Sequence, residues 1–286
     1  MSPLKIAVIG GGNITGAHLP NLAHRSEVEL IGLADVNPAA IETAHRYGIA
    51  RFTHQYRELL PDADAVIIGV PTHLHVEVAV TALRAGKAVF CEKPLARTLE
   101  EADAIAHAAQ ESGAPVQVGF VRRFDPEWLA WRDAVRSHMI GRPVIWCDVA
   151  SGAGPSASWF MRDEQGGGPF LDGCIHNFDF ALWIFGQPQW AFCHGRTFRE
   201  DATAIDTGTA TVRFQSGDEL LLAWSWGLPV GCTGGRIFEI LGPKGTLTWP
   251  RVEDAGEPHF AINRGEGQPV ENVSYPADAL SQGFAQ

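Results

Sequence analysis

Residues Leu4 to Ile9 form an unbroken apolar run that stops at Gly10-Gly11-Gly12-Asn13, and a helical pattern follows from Ile14 to His24. Strand, glycine turn and helix in that order constrain the fold more than any other stretch, because a strand apolar on both faces belongs inside a parallel sheet. The alternation then repeats. Val28 to Ala34 reads as a second strand ending at Asp35, and Asn37-Pro38 opens a helix to Tyr47, with asparagine as cap and proline in the first turn. Strands at Ala65 to Val70, Ala88 to Cys91 and Pro115 to Gly119 alternate with helices at His73 to Ala85 and Thr98 to Glu111. The expected class is α/β, with an N-terminal Rossmann-type doubly wound parallel sheet over residues 1–120.

From residue 121 the texture changes. A helix from Asp125 to Arg136, a strand from Pro143 to Ala150 and a helix from Phe170 to Phe185 precede runs rich in β-branched and aromatic residues. These runs are Trp190 to Phe198, Thr207 to Phe214, Glu219 to Trp226, Arg236 to Leu241 and Thr246 to Trp249. Gln215-Ser216-Gly217-Asp218 and Gly242-Pro243-Lys244-Gly245 read as hairpin turns. Residues 121–286 are therefore expected to form an α+β domain with an open, mostly antiparallel sheet. An apolar face left uncovered on that sheet would suit a homodimer or homotetramer. Ala277 to Gln286 reads as the start of a further helix.

With 22 basic and 33 acidic residues the net charge is -11, and no basic run is dense enough to follow a phosphate backbone, so nucleic acid is not an expected partner. The N-terminus lacks the pattern of a signal peptide, and no stretch approaches the ~20 apolar residues of a membrane span. A cytoplasmic location is expected. The five cysteines are scattered without a C-x-x-C pair, which predicts mostly buried thiols and neither a disulfide framework nor a zinc ribbon.

Four segments carry chemistry. Gly10 to Thr15 matches G-x-G-x-x-G at its first two glycines, with Thr15 in the third place. In such a loop the first glycine permits the turn, the second lets backbone approach a pyrophosphate, and the helix start offers N–H groups to it. Asp35 stands where a carboxylate would accept both hydroxyls of an adenosine ribose and repel a 2′-phosphate, and Val36 and Asn37 bring no cation, so NAD is favoured over NADP. The alternative for Asp35 is an ordinary exposed strand-end carboxylate.

Pro71-Thr72-His73-Leu74-His75 follows a strand at the same carboxyl edge; its histidines suit capping and lining of a nicotinamide-ribose pocket or a purely structural role, and no third metal ligand is near in sequence. Glu92-Lys93-Pro94 ends the strand Ala88 to Cys91. Lys93 is either a solvated strand-end amine or, over the cofactor crevice, a donor to a reacting hydroxyl, and Pro94 suits a cis peptide bond. In Gly166 to Asp179, a helix begun at Pro169 would put Asp172 and His176 four apart on one polar face with Asp179 a turn below. Leu171, Ile175, Phe178 and Leu182 would then form the apolar stripe. A carboxylate beside an imidazole makes a proton acceptor, whereas the bland reading is a dipole-favoured aspartate and a core histidine. Cys174 falls on another face, which disfavours zinc.

Taken together, Gly10 to Thr15, Pro71 to His75, Cys91 to Leu95 and Gly166 to Asp179 resemble the Gfo/Idh/MocA oxidoreductase family over essentially the whole chain. Val118-Gly119-Phe120-Val121-Arg122-Arg123-Phe124-Asp125-Pro126 is similar to the inositol and sugar dehydrogenase branch. The resemblance implies catalytic roles for Lys93, Asp172 and His176, and cofactor contacts from Gly10, Gly12, Asn13, Ile14, Asp35, Pro71, His75, Glu92 and Lys93. Its implied function is NAD-dependent hydride transfer to or from a secondary alcohol of a polyol, inositol or sugar. An NADP-dependent sugar or imine reductase and a non-catalytic dinucleotide-binding regulator stand as alternatives. Two departures are visible: Gly173 and Cys174 where relatives often read D-x-G-x-H, and an end at Gln286 where relatives usually continue.

Overall fold

A computed structural model describes residues 2–232, 234–249 and 259–275. It divides into two compact units, Met1 to Phe120 and a second beginning at Val121.

In the first unit, strands β1 (Leu4–Ile9), β2 (Val28–Ala34), β3 (Phe52–Thr53), β4 (Ala65–Ile68), β5 (Ala88–Cys91) and β6 (Val116–Val118) pair in parallel in the order β3-β2-β1-β4-β5-β6. Four helices join them: α1 (Thr15–Leu22), α2 (Ile41–Arg46), α3 (His75–Arg84) and α4 (Leu99–Ser112). The alternating pleat divides the core. Ala7 and Ile9 of β1 pack with Ile68, Val89, Leu83 and Ile105 on one side, while Val8 packs with Leu19, Leu33 and Ala44 on the other. Both faces are thus covered, as the apolar runs require.

Local sequence sets the ends of these helices. Asn37 caps the Pro38–Ala40 turn by accepting from the Ala39 amide at 3.1 Å. Thr98 accepts from Glu101 N at 3.2 Å to start α4, and Gly113 ends it in the left-handed region at φ 69°. β3 has no counterpart in the sequence reading: two residues among polar neighbours carry too little periodicity to register as a strand.

The second unit holds α5 (Pro126–Arg136), β7 (Ile145–Ser151), α6 (Gly168–Leu171), α7 (Ile175–Phe185), β8 (Pro188–Arg196), β9 (Thr207–Phe214), β10 (Glu219–Ser225), β11 (Arg236–Gly242), β12 (Gly245–Thr248), β13 (His259–Asn263) and β14 (Glu271–Ser274). Its sheet runs β14-β13-β12-β11-β7-β10-β9-β8, antiparallel throughout except for the parallel pair β7 and β10. Both anticipated hairpin turns are present, and Asp218 in the first accepts from Val144 N at 2.8 Å. β13 and β14 were not read from the sequence. The reading of a helix over Ala277 to Gln286 lies outside the described residues.

One face of this sheet carries an aromatic core. Trp131 and Trp146, both fully buried, meet with ring centroids 4.8 Å apart, and Trp128 stands edge-on to Phe180 at 4.8 Å. The register places Phe192, Thr211, Leu221 and Cys147 in one row of the opposite face, with Phe192 at 67% and Leu221 at 40% exposure.

Three expectations need correction. The helix expected over Phe170 to Phe185 is two helices, because Gly173 makes a wide turn in which Cys174 N donates to Pro169 O at 2.8 Å. The stripe Leu171, Ile175, Phe178 and Leu182 is not the buried one: Leu182 is 46% exposed, and α7 buries Asn177, Phe180, Ala181 and Ile184. Asn177 can turn inward because it donates to the buried Asp148 carboxylate at 2.7 Å. Of the cysteines, all free, only Cys91 and Cys174 are buried, whereas Cys193 and Cys232 are exposed because β8 presents a solvent-facing strand and the loop after β10 is uncovered.

Candidate active site

The strand order of the first unit reverses between β1 and β4, and the flagged residues of that unit gather at the carboxyl ends there. Gly10 follows β1 with φ +97°, and a Cβ at this position would lie 2.6 Å from the carbonyl carbon and oxygen of Gly69, just after β4. No side chain fits. Gly12 and Asn13 are exposed, and a Cβ at Gly12 would meet nothing within 4 Å. Ile14 occupies the cap position of α1 without a side-chain cap; Gly16 N donates to Gly12 O at 3.3 Å and Ala17 N to Ile14 O at 3.0 Å, so the amides that an anion approaching over the open loop would meet are those of Gly12 to Thr15.

Thr15 explains how the loop dispenses with a third glycine. Its side chain is fully buried, Oγ1 donates to Gly10 O at 2.5 Å, and it faces Gly69, where an added Cβ would stand 2.8 Å from that oxygen. The glycine that lets helix and strands approach sits across the crevice on the β4 side.

Asp35 is built into the same loop. It accepts from Gly11 N at 2.6 Å and from Asn37 N at 2.7 Å, so both carboxylate oxygens are oriented by backbone while retaining further lone pairs. Beside it Val36 is 86% exposed and brings no charge. The glycine loop, open helix end and oriented strand-end carboxylate fit a dinucleotide.

Pro71 begins the turn Thr72–Leu74 after β4, and His75 opens α3. His75 is buried, with Nδ1 2.9 Å from Pro94 O and Nε2 2.9 Å from Val70 O. It ties the end of β4 to the Glu-Lys-Pro turn; burial, outweighing these hydrogen bonds, holds its pKa below the usual value. A neutral ring donates to only one of the two carbonyls.

Glu92 follows β5. Its carboxylate meets His18 Nε2 of α1 at 2.5 Å and accepts from Lys93 N at 3.1 Å, with both pair side chains mostly buried at 12% and 6% exposure. The Lys93–Pro94 peptide bond is cis. His18 was not singled out in the sequence. Its only signal is a position one helical turn beyond Thr15, on the side of α1 that faces the sheet.

The second unit carries the remaining candidates. Asp172 is buried at the end of α6, its amide donating to Gly168 O at 3.0 Å, while half-buried His176 lies in the first turn of α7. They flank the turn at Gly173, where a Cβ would be 2.9 Å from Pro169 O and 3.0 Å from the Trp226 ring. Their spacing is therefore set by a junction packed on the end of β10, and not by one continuous helix. Arg122 pairs with Asp125 at 2.7 Å, and Arg123 makes a two-pronged contact with Asp179 at 2.9 and 2.6 Å. Both guanidinium groups thus take part in ion pairs within this unit. Asp148, behind Asn177, has its pKa raised by burial. Among the described residues no group of three His, Cys, Asp or Glu could hold a metal ion, and no helix is long and apolar enough to cross a membrane.

A parallel sheet with a glycine loop at its switch point, followed by a unit with an open, mostly antiparallel sheet, defines the class of dinucleotide-binding oxidoreductases of two-unit architecture. Residues 4–120 match the model of the oxidoreductase family with an NAD-binding Rossmann fold, and residues 128–248 match the GFO/IDH/MocA C-terminal domain. The chain belongs to the Gfo/Idh/MocA oxidoreductase family.

Among its relatives, the uncharacterized oxidoreductase YrbE of Bacillus subtilis strain 168 is 32% identical over 247 residues, covering 84% of this chain and 71% of the relative. Inositol 2-dehydrogenase of Rhizobium meliloti strain 1021 is 35% identical over 185 residues, covering 64% of this chain and 56% of the relative. This chain thus spans little more than half of that enzyme's length. In fold it is similar to KijD10, a 3-ketoreductase from Actinomadura kijaniata in complex with NADP and TDP-benzene, with a TM-score of 0.85 at 24% identity over 99% of this chain and 87% of that one.

Proposed function

We propose that this chain transfers hydride between NAD and a secondary alcohol of a polyol, inositol or sugar. The observation that carries the reading is the placement of Lys93 at the carboxyl end of β5, on the same sheet edge as the anion-accepting loop after β1. The likeness to inositol 2-dehydrogenase supports the substrate class.

Gly10, Gly12, Asn13 and Ile14 would hold the pyrophosphate, Asp35 the adenosine ribose, and Pro71, His75, Glu92 and Lys93 the nicotinamide end. When bound, the nicotinamide supplies the acceptor for the two electrons and hydrogen leaving the carbinol carbon. Lys93 donates a hydrogen bond to the hydroxyl oxygen and stabilises negative charge as the C–H bond breaks. In this reading His176 takes the hydroxyl proton while the C–O bond becomes a carbonyl, and Asp172 orients the imidazole or a neighbouring hydroxyl. NAD is favoured over NADP because the Asp35 carboxylate would lie against a 2′-phosphate, with uncharged Val36 beside it.

Absorbance at 340 nm with NAD or NADP, against a panel of polyols and sugars that includes myo-inositol, tests this reading. Turnover with NAD that collapses in Lys93→Ala is expected. Cofactor binding with no turnover of any alcohol, together with no change in Lys93→Ala, would leave the chain a dinucleotide-binding regulator. The open face of the second sheet, with Phe192 and Leu221 exposed, is assigned to self-association as a homodimer or homotetramer. Light scattering of wild type against Leu221→Lys tests that assignment: dissociation is expected, and a monomeric wild type would overturn it.

A further inference from the structure

We propose that Trp226, with Trp224 beside it, is the wall on which the second unit seats a ring-shaped substrate, so that the substrate is a cyclic polyol or a pyranose and not an open-chain polyol. The inference rests on the assignment of Asp172 and His176 to the reaction and narrows the substrate class that this assignment leaves open. Along β10, Leu220 and Leu222 are fully buried, Trp224 continues their row, and Trp226 stands just past the strand end. Both indoles are only half-buried, so the apolar row runs out of the core without being closed over. It runs out at Gly173. A Cβ there would lie 3.0 Å from Trp226 Cζ2 and 3.5 Å from Trp224 Nε1, so the turn between Asp172 and His176 rests on both rings.

Two further glycines make room at the same place. At Gly154, in the left-handed region at φ +70°, a Cβ would lie 2.7 Å from Trp226 Cγ, and at Gly166 it would lie 2.6 Å from Phe160 Cα. Phe160 stands edge-on to Trp226 with ring centroids 6.1 Å apart, and Trp159 stacks on Phe160 at 3.7 Å. The loop after β7 and the junction of α6 with α7 thus both forgo side chains where they meet one indole. A broad apolar surface beside a few fixed polar groups, here the buried Asp172 and the half-buried His176, is the make-up of a small-molecule site. A ring polyol has matching halves. Its C–H bonds project from the ring faces, weakly positive against the negative face of an indole, while its hydroxyls lie around the rim, where a carboxylate and an imidazole can take them. An open-chain polyol presents hydroxyls along every side and has no such face.

The test sets myo-inositol and D-glucose against D-glucitol and D-mannitol, rings against chains of equal carbon number, on the NAD-loaded protein. Wild type, Trp226→Leu and Trp226→Phe are followed by nicotinamide absorbance and by saturation-transfer NMR from the aromatic protons of the protein to each probe. In wild type a cyclic probe is expected to show the lower KM and to receive saturation at its ring C–H protons. Trp226→Leu is expected to raise that KM roughly tenfold with kcat nearly unchanged, the mark of a contact made equally in ground and transition states, and to remove the transfer. Trp226→Phe, which keeps an aromatic face, is expected to recover most of both.

A wild type that prefers the open-chain probes would overturn the proposal, and that comparison stands even where Trp226→Leu fails to fold. So would an unchanged KM in Trp226→Leu, an equal rise for rings and chains, or a fall confined to kcat, each of which would leave the indole as packing under the Gly173 turn. Turnover of no polyol would overturn the dehydrogenase reading instead, and saturation transfer then decides this one. Transfer to a cyclic probe that is lost in Trp226→Leu upholds the wall; its absence from every cyclic probe overturns it.

Discussion

The two units solve the same problem, holding polar groups at the edge of a sheet, in opposite ways. In the first, backbone does most of the holding: Gly10 turns against Gly69, and Gly11 and Asn37 amides orient Asp35. In the second, side chains hold side chains: Asn177 reaches Asp148, Arg123 clamps Asp179, and Asp172 and His176 flank a glycine junction packed against Trp226. Backbone geometry is local and follows from residue type within a few positions. Side-chain partnerships join distant residues, so their outcome depends on the assembled fold.

The sharpest challenge to this comparison removes the group proposed to react from each unit in turn. Lys93→Ala and His176→Ala are each expected to lower kcat by about 10²–10⁴-fold, measured at 340 nm with the polyol found active, with circular dichroism unchanged. Loss from only one of them would assign proton handling to a single unit.

The next largest effect concerns the cores. Trp131→Ala should destabilise the second unit by about 3–5 kcal/mol, whereas Ile68→Val in the first should cost about 0.5–1.5 kcal/mol. Urea unfolding followed by tryptophan fluorescence and by far-UV dichroism checks both. Similar losses would show that the aromatic core is no more sensitive to truncation than the aliphatic one.

Asp35→Ser asks whether a backbone-oriented carboxylate sets coenzyme choice. The ratio of kcat/KM for NADP over NAD should rise by at least ~10-fold as the like-charge conflict is removed. An unchanged ratio would reduce Asp35 to a structural ligand of Gly11 and Asn37.

The smallest expected effect is a pH dependence. Burial lowers the His75 pKa from its usual 6.5, so folding favours the neutral ring, and this stabilisation is complete above pH 6.5 and lost as pH falls toward the folded value. Thermal melts at pH 7.5 and 5.0 should show a larger drop for wild type than for His75→Gln, which does not titrate. Equal drops would mean that His75 is not the group that charges on unfolding.

Legibility in the sequence follows the same division. Strands β1, β2 and β5, the Asn37 cap, the helix start at Thr98 and the position of Asp35 could be read because each rests on nearby apolar periodicity or capping chemistry. The Asp172 and His176 pair was read as one helical face, and the break at Gly173 was missed, because a glycine between two good helical segments does not announce a wide turn. The buried face of α7 was misassigned for a related reason. Leu182 looks like core and Asn177 like surface until Asp148, distant in sequence, supplies the partner that draws Asn177 inward. His18 was invisible on the same grounds, since its meaning lies in Glu92. β3 is too short to carry a period.

The place of β7 in its sheet bears on how the chain assembles. β8, β9 and β10 form one run of neighbouring antiparallel strands, and β11 to β14 form another. Within each run, neighbours in the sheet are also neighbours in sequence, yet the two runs meet only through β7, which is made long before either. Early in folding that strand has neither partner, and seating it requires closing two long loops at once, a step with high contact order and slow kinetics. A chain permuted to begin at β7 would keep that burden, whereas one that placed β7 between β10 and β11 in sequence would lose most of it.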